Sequence, residues 1–260
     1  MIIDRNFGGI MKLIKHTSVL VLVLGLVLQA GTVSAQIEKN SKLGGNWFIA
    51  RGQERLPELE NMLAPNVAFI RDTGSPRVNG GDFGDLDVTD AARAEAMAWD
   101  PLASQTISEV CRPPSIIYAM PGPFYVEIFP STEMIVMKLE YYDLVRIIFM
   151  DGREHPGDDY PHTATGHSVG HWEGDVLEVD TTHLHKATIY DNGLNHSENI
   201  HVTERFMVSE DGNYLHMTQE FDDPEVLNNR AARYVVYAKE PGHVHPYNCD
   251  PSYGANIQAR

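Results

Sequence analysis

From Ser115 to Ala238 the chain repeats one pattern: runs of five to nine β-branched and aromatic residues, each closed by Gly, Pro, Asp or Asn. Runs this short, punctuated this regularly, suit an antiparallel sheet or barrel and leave no room for long amphipathic helices. The spacing predicts strands over Ile116–Met120, Phe124–Phe129, Glu133–Leu139, Leu144–Met150, Ser168–Trp172, Val176–Thr181, Ile200–Val208, Tyr214–Phe221 and Ala232–Ala238. Nearer the N-terminus, Arg55–Leu63 and Thr89–Trp99 are expected to be helical. Thr89 caps an alanine-rich run that stops at Asp100-Pro101, and a short apolar run follows Gly44-Gly45 at Trp47–Ala50. Gly74–Gly84, rich in Gly, Asp and Pro, is expected to be loop. The fold class expected is mainly β: an antiparallel, lipocalin-like barrel with short N-terminal helices, wide enough for one small ligand.

Residues 11–35 have the three-part layout of an export signal. Lys12 and Lys15 lead, an apolar run from Val19 to Leu28 follows, and Val33-Ser34-Ala35 ends it before Gln36, which makes Met11 the favoured start. The expected division is a signal over 1–35 and a single β domain over 36–260, periplasmic or extracellular. No later stretch approaches the roughly 18 apolar residues of a membrane-spanning helix. Residues 36–260 carry 17 basic and 35 acidic side chains. Such a surface repels phosphate backbones and anionic membranes, so neither nucleic acid nor membrane insertion is expected. Only Cys111 and Cys249 are present. In an oxidising compartment they are expected to form a disulfide.

Side-chain parity orients two hairpins. A turn at Asp211-Gly212 makes opposite residues sum to 423, so Ile200, Val202, Glu204, Phe206 and Val208 share a face with Leu215, Met217, Gln219 and Phe221. That face is apolar except for Glu204 and Gln219, which lie opposite each other and point inward. His201, Thr203, Arg205 and Met207 take the other face. With a tip at Glu173-Gly174, Trp172, Gly170 and Ser168 face inward with Leu177 and Val179. His167, Val169 and His171 then lie outside with Val176, Glu178 and Asp180. An interior carboxylate costs several kcal/mol unless paired or protonated, so Glu204 needs a partner.

Gly166-His167-Ser168-Val169-Gly170 matches the G-x-S-x-G pattern of a serine nucleophile, but strand, turn and strand follow it instead of a helix. Ser168 is therefore expected not to be a nucleophile. Eleven histidines lie after Glu154, eight of them between His155 and His201. Histidine both ligates metals and titrates near neutrality, so this clustering is the strongest compositional pointer to a site. H-E-x-x-H is absent, and the pairs His183/His185 and His243/His245 sit in polar loops. Arg146 interrupts the apolar run Leu144–Met150 and lies either at a solvent edge or inward, against a carboxylate such as Glu204. Tyr118, Tyr125, Tyr141 and Tyr142 either line a pocket or belong to the core.

Val145-Arg146-Ile147-Ile148, Asp151-Gly152-Arg153-Glu154-His155-Pro156 and the run from Gly166 to Thr181 occur in a fixed order. Gly193-Leu194-Asn195-His196-Ser197-Glu198 and Val202-Thr203-Glu204-Arg205-Phe206 follow them. Over residues 100–238 this combination resembles a large family of exported bacterial β-rich proteins to which no single activity is attached. The resemblance implies a compact exported β domain and marks His155, His196 and Glu204 as motif positions. The position of His167 also takes Asp there.

The function expected from these residues is an exported lyase, isomerase or hydrolase acting on a small organic molecule by acid-base chemistry. His155 and His196 are the candidate acid and base, Glu204 the interior carboxylate and Arg146 an anion clamp. His167, Tyr118 and Gln219 are candidate substrate contacts. The cofactor is either none or a divalent metal held by His155, His196 and Glu204. The competing expectation is a lipocalin-like protein that binds a small molecule in the same cavity without catalysis.

Overall fold

A computed structural model of the protein describes residues 36–70, 81–100, 111–190 and 192–252. The expected signal over 1–35 and residues 74–80 of the expected loop lie outside the described residues. The chain divides into two compact units, 1–41 and 42–260; of the first, the described residues 36–41 are helical.

The described residues of the second unit form twelve strands. In chain order they are β1 (Gly45–Ala50), β2 (Ala68–Phe69), β3 (Val126–Pro130), β4 (Met134–Leu139), β5 (Leu144–Phe149), β6 (His167–Glu173), β7 (Val176–Thr182), β8 (Ala187–Thr188), β9 (Asn195–His196), β10 (His201–Val208), β11 (Tyr214–Asp222) and β12 (Ala231–Lys239). Nine of them close a barrel in the order β1, β3, β4, β5, β6, β7, β10, β11, β12 and back to β1, so the molecule is a mainly β, lipocalin-like barrel. Strand β2 adds to β12, while β8 and β9 form a separate small hairpin.

Sequence parity and observed register agree where turns are tight. Glu204 pairs with Gln219 and Val208 with Leu215, the sum expected, and the Ser209 amide donates to the Tyr214 carbonyl at the turn. In the β6–β7 hairpin Glu173 pairs with Val176, which puts the tip at Gly174-Asp175 rather than at Glu173-Gly174. This displaces the tip by one residue but preserves parity. Ser168, Leu177 and Val179 are fully buried inward and His171 is exposed outside.

The expected strand Ile116–Met120 is a correction. It forms a helical turn over Ile116–Ala119, with Ala119 and Met120 amides donating to the Ser115 and Ile116 carbonyls. Two isoleucines and a tyrosine favour a strand locally. The apolar positions 116, 117 and 120, however, fall on one helical face, which packs on the inner side of β12. There Arg233 donates to the Ile117 carbonyl and the Tyr237 hydroxyl to that of Met120, at 2.7 Å for the latter. We number the helices α1 (Pro57–Glu60), one turn of the longer helix expected, α2 (Asp90–Ala98) and α3 (Ile116–Ala119). Thr89 caps α2 as expected, accepting from the Ala92 amide. Among the described residues no helix is long and apolar enough to cross a membrane.

One seam of the barrel differs from the rest. Strands β5 and β6 run parallel and share only two registered pairs, Ile148 with Ser168 and Phe149 with Val169, whereas β6 and β7 share seven. A parallel join needs a crossover, and residues 150–166 provide it. Gly170 permits the close approach: a Cβ there would stand 2.9 Å from Ile148 Cγ2 and 3.0 Å from Met150 Sδ.

Candidate acid-base site on the barrel wall

The alternation of β7 divides the polar residues into two assemblies. Thr181 points into the barrel, while Asp180 and Thr182 point out of it. Inside, Arg146, Ser168, Thr181, Glu204 and Gln219 form one hydrogen-bonded group with no solvent exposure. Arg146, left open between edge and interior by the sequence, turns inward. Its Nη2 donates to Glu204 Oε2 and, at 2.9 Å, to Thr181 Oγ1, while its Nε donates to Ser168 Oγ at 3.2 Å. Gln219 Nε2 donates to the other carboxylate oxygen, Glu204 Oε1, at 3.0 Å. The interior carboxylate is thus compensated by an arginine and an amide, not by histidines. Ser168, near the start of β6, sits between Arg146 and Thr181, and the rest of that strand and the hairpin into β7 follow it where a nucleophile elbow would require a helix.

On the outer side of the same strands stands a histidine assembly. The crossover 150–166 brings His155 against the wall, where its Nε2 lies 2.7 Å from Asp180 Oδ1 and its Nδ1 lies 2.9 Å from His167 Nδ1 and 3.1 Å from Thr182 Oγ1. His201, on β10, approaches the same carboxylate at 2.8 Å through Nε2. Thr182 also bonds His183 Nδ1 at 2.8 Å, and His183 Nε2 donates to the Gly157 carbonyl at 3.2 Å. Tyr160 stands edge-on to both His167 and His183, and Phe149 stacks on His167.

The proton positions in this chain follow from its partners. Asp180 is an acceptor, so His155 and His201 each turn an Nε2–H toward it. Between His155 and His167 two Nδ1 atoms face each other, and one proton serves both: whichever ring donates, the other accepts. Burial pulls Asp180 upward, but the hydrogen bonds and charges of His201 and His155 more than offset it and hold the carboxyl below its ordinary range. The hydrogen bond to Asp180 raises His201 against the opposing effect of burial. His167 is lowered, first by burial and then by the charges of His155, Arg153 and His183. Two histidines on one relay are therefore pushed in opposite directions.

His196 belongs to neither assembly. Fully buried, it lies 2.8 Å from the Ser197 carbonyl through Nδ1, which fixes Nδ1 as the donor. Nε2 then accepts from the Ser115 hydroxyl at 2.7 Å. Burial lowers it to about 4. Tyr118 is half-buried beside Tyr141, with ring centres 6.3 Å apart.

The structure therefore brings together Arg146, Glu204 and Gln219 inside the barrel, and His155 with His167 outside it. The expected convergence of His155, His196 and Glu204 does not occur through any hydrogen bond. His155 meets the outward side of β7, Glu204 projects from the inward side of the neighbouring β10, and His196 pairs with Ser115. Asp180, Thr182 and His201 were missed as site residues. Parity had placed Asp180 and His201 on outer faces, but that position alone reads as solvated surface. Among the described residues no group of three His, Cys, Asp or Glu side chains is disposed to hold a metal ion. No protein-family model matches the chain and no curated protein matches it at significant similarity, so the site is read from its own geometry.

Proposed function

We propose that the protein is an exported enzyme that moves a proton on a small organic molecule, in a reaction of the isomerase, lyase or hydrolase kind. The observation that carries this reading is the relay His201, Asp180, His155, His167, in which one carboxylate orients two part-exposed histidines and a third stands behind the first. Titratable neighbours driven in opposite directions are how one site keeps an acid and a base at the same pH. His201, raised, is the acid through its Nδ1–H. His167, lowered, is the base through Nε2, the atom left over once Nδ1 faces His155. Asp180 fixes the tautomer of both rings bonded to it, and His155 passes the proton between Asp180's side and His167. The residues 150–166 crossover holds His155 and Tyr160 over the wall and supplies the rim. The Cys111–Cys249 disulfide, with Cα atoms 5.8 Å apart, supports an oxidising compartment, in line with the apolar leader.

Asp180→Asn tests this reading. It keeps the shape of the side chain and removes the charge that orients both rings, a change that costs acid-base enzymes several orders of magnitude where tautomer control is lost. The assay is proton exchange into deuterated water and hydrolysis over a panel of small carbonyl compounds and esters. Turnover by the wild type that falls at least 100-fold in both Asp180→Asn and His201→Gln, with unchanged circular dichroism, is the expected result. Equal rates in wild type and variants, or no turnover across the panel, sinks the proposal.

A further inference from the structure

The outer wall formed by β3, β4 and β5 carries an apolar surface beside the histidine relay. The strand registers set its side chains in three cross-strand rows: Glu127, Lys138 and Val145; then Phe129, Val136 and Ile147; then Met134 beside Phe149. Their chain neighbours Ile128, Ile135, Met137, Arg146 and Ile148 are buried in the barrel, as strand alternation requires. Of the seven large hydrophobic side chains exposed among the described residues, four stand in these rows: Phe129, Met134, Val145 and Ile147, from 39 to 53% exposed. Exposed hydrophobic residues scattered singly need no explanation, but a contiguous set marks a contact surface. These four present roughly 300 Å² of apolar surface. The half-buried Val136, Phe149, Glu127 and Lys138 extend it toward the roughly 500 Å² per partner that a specific interface needs.

We infer that this face is the contact surface of a homodimer, in which a second copy of the chain lays the same three strands against it about a two-fold axis. The charge of the face selects the occupant. Residues 36–260 carry 17 basic and 35 acidic side chains, so two copies repel wherever their acidic surfaces meet. Within the rows the only charges are Glu127 and Lys138, opposite in sign and directly across β3 and β4. At the far end Arg153 lies over the Phe149 ring, 3.7 Å from its centre, and is paired with Asp151. Glu133 flanks the same end, its carbonyl accepting from the Met150 amide. On the two sides β1 sets Asn46 opposite Glu127 and β6 sets Val169 opposite Phe149, neither of them charged. The face is thus close to neutral on a strongly acidic chain, and copies of like charge approach most easily there. Nucleic acid and anionic lipid find no cluster of basic residues on it, and a basic protein is drawn to acidic surface elsewhere. What fits a neutral apolar sheet face is another of its kind, and an isologous contact supplies one from the same chain. This inference stands independently of the acid-base reading.

Sedimentation of the purified protein at micromolar concentrations is expected to give twice the mass of one chain. Added sodium chloride should strengthen the association, because it screens the repulsion between acidic copies and leaves the apolar contact intact. Ile147→Glu combined with Phe129→Glu puts like charges into both faces and should weaken dimerisation at least tenfold, with far-ultraviolet circular dichroism unchanged. Met97→Glu, an exposed hydrophobic position on α2 outside these strands, should leave it unaltered. Val136 lies in the middle row on the central strand, and only a two-fold contact sets a residue against its own copy. A short bis-maleimide is therefore expected to link two copies of Val136→Cys through position 136, and the link to vanish when Ile147→Glu is added. A single-chain mass at every concentration, a dimer that persists in the double-glutamate variant or weakens with salt, or an assembly with no link through position 136 overturns the proposal.

Discussion

His196 shows how a single buried side chain sets a pH dependence. Its ordinary value is 6.5 and burial lowers it to about 4, so the folded state favours the neutral ring. A depressed histidine contributes stability above its unfolded value and loses it as pH falls from about 6.5 toward about 4, because the unfolded chain takes up the proton first. At 1.36 kcal/mol per unit, the loss is about 3 kcal/mol. Urea unfolding of wild type and His196→Gln at pH 7 and pH 4 is expected to show a loss of stability on acidification that is larger in the wild type by about 3 kcal/mol; equal losses in the two proteins would refute it. A second residue-scale outcome concerns Arg146. Removing one member of a buried ion pair strands the other, so Arg146→Met should cost about 3 to 5 kcal/mol, and adding Glu204→Leu should restore most of it. Denaturant melts of the double-mutant cycle check this, and an additive double mutant contradicts it. Glu204's inward direction was legible from hairpin parity alone. Its partner was legible only as one of two alternatives for Arg146, a solvent edge or an interior carboxylate, because Arg146 comes from a strand three places further round the barrel wall and local sequence does not fix that neighbour.

At the scale of elements, β-strands were legible wherever a tight turn fixed parity, and their ends moved by only a residue or two. Segment 116–120 failed because composition favoured a strand while the inner wall of β12 offered a surface that only a helical turn satisfies. The outer histidine assembly was not legible for a related reason. Asp180 and His201 were placed correctly on outer faces, but an outer-face histidine becomes a site only when a crossover lays His155 and Tyr160 upon it, and the destination of residues 150–166 is set by the parallel seam. Two glycines test how that seam is built. An Ala Cβ at Gly170 would meet Ile148 Cγ2 at 2.9 Å, whereas at Gly174 nothing lies within 4 Å and only the left-handed φ of +57° opposes it. Gly174→Ala should therefore cost about 1 to 2 kcal/mol from backbone strain. Gly170→Ala forces a packed core to shift and should cost about 1 to 3 kcal/mol, and should alone loosen β5 from β6. Hydrogen exchange at β5 amides distinguishes them: faster exchange is expected in Gly170→Ala only, and equal exchange in both variants rules out a seam held by close packing.

The whole molecule is closed twice, once by β1 pairing with β12 and once by the C-terminal segment that follows β12. From Glu240 to Asp250 the chain forms neither strand nor helix, yet it is fastened across one end of the barrel. The Glu240 amide donates to the Asn46 carbonyl and the Tyr247 amide to Asp143 Oδ1. The Tyr247 ring stacks on Tyr142 with centres 4.6 Å apart. Tyr142 and Asp143 both have positive φ, +57° and +53°, a strained turn that this segment holds in place. The disulfide fixes the far end, Cys249 to Cys111, across a separation of 138 residues. Closing so long a loop removes much of the unfolded chain's freedom, worth about 5 kcal/mol in the chain-entropy model. For a domain of this size each kcal/mol moves Tm by about 2 to 4 °C. Reduction, or the Cys111→Ser/Cys249→Ser double variant, is therefore expected to lower Tm by about 10 to 20 °C. The strand hydrogen bonds should survive, because the barrel closes through β1 and β12 without the bridge. The release should also be local: Tyr247 loses its tether and Tyr142 its stacking partner, so near-ultraviolet circular dichroism from the tyrosines should fall while the far-ultraviolet signal holds. A reduced protein whose Tm moves by less than about 3 °C, or whose far-ultraviolet signal collapses with the tyrosine signal, would contradict a C-terminal clasp laid over an already closed barrel.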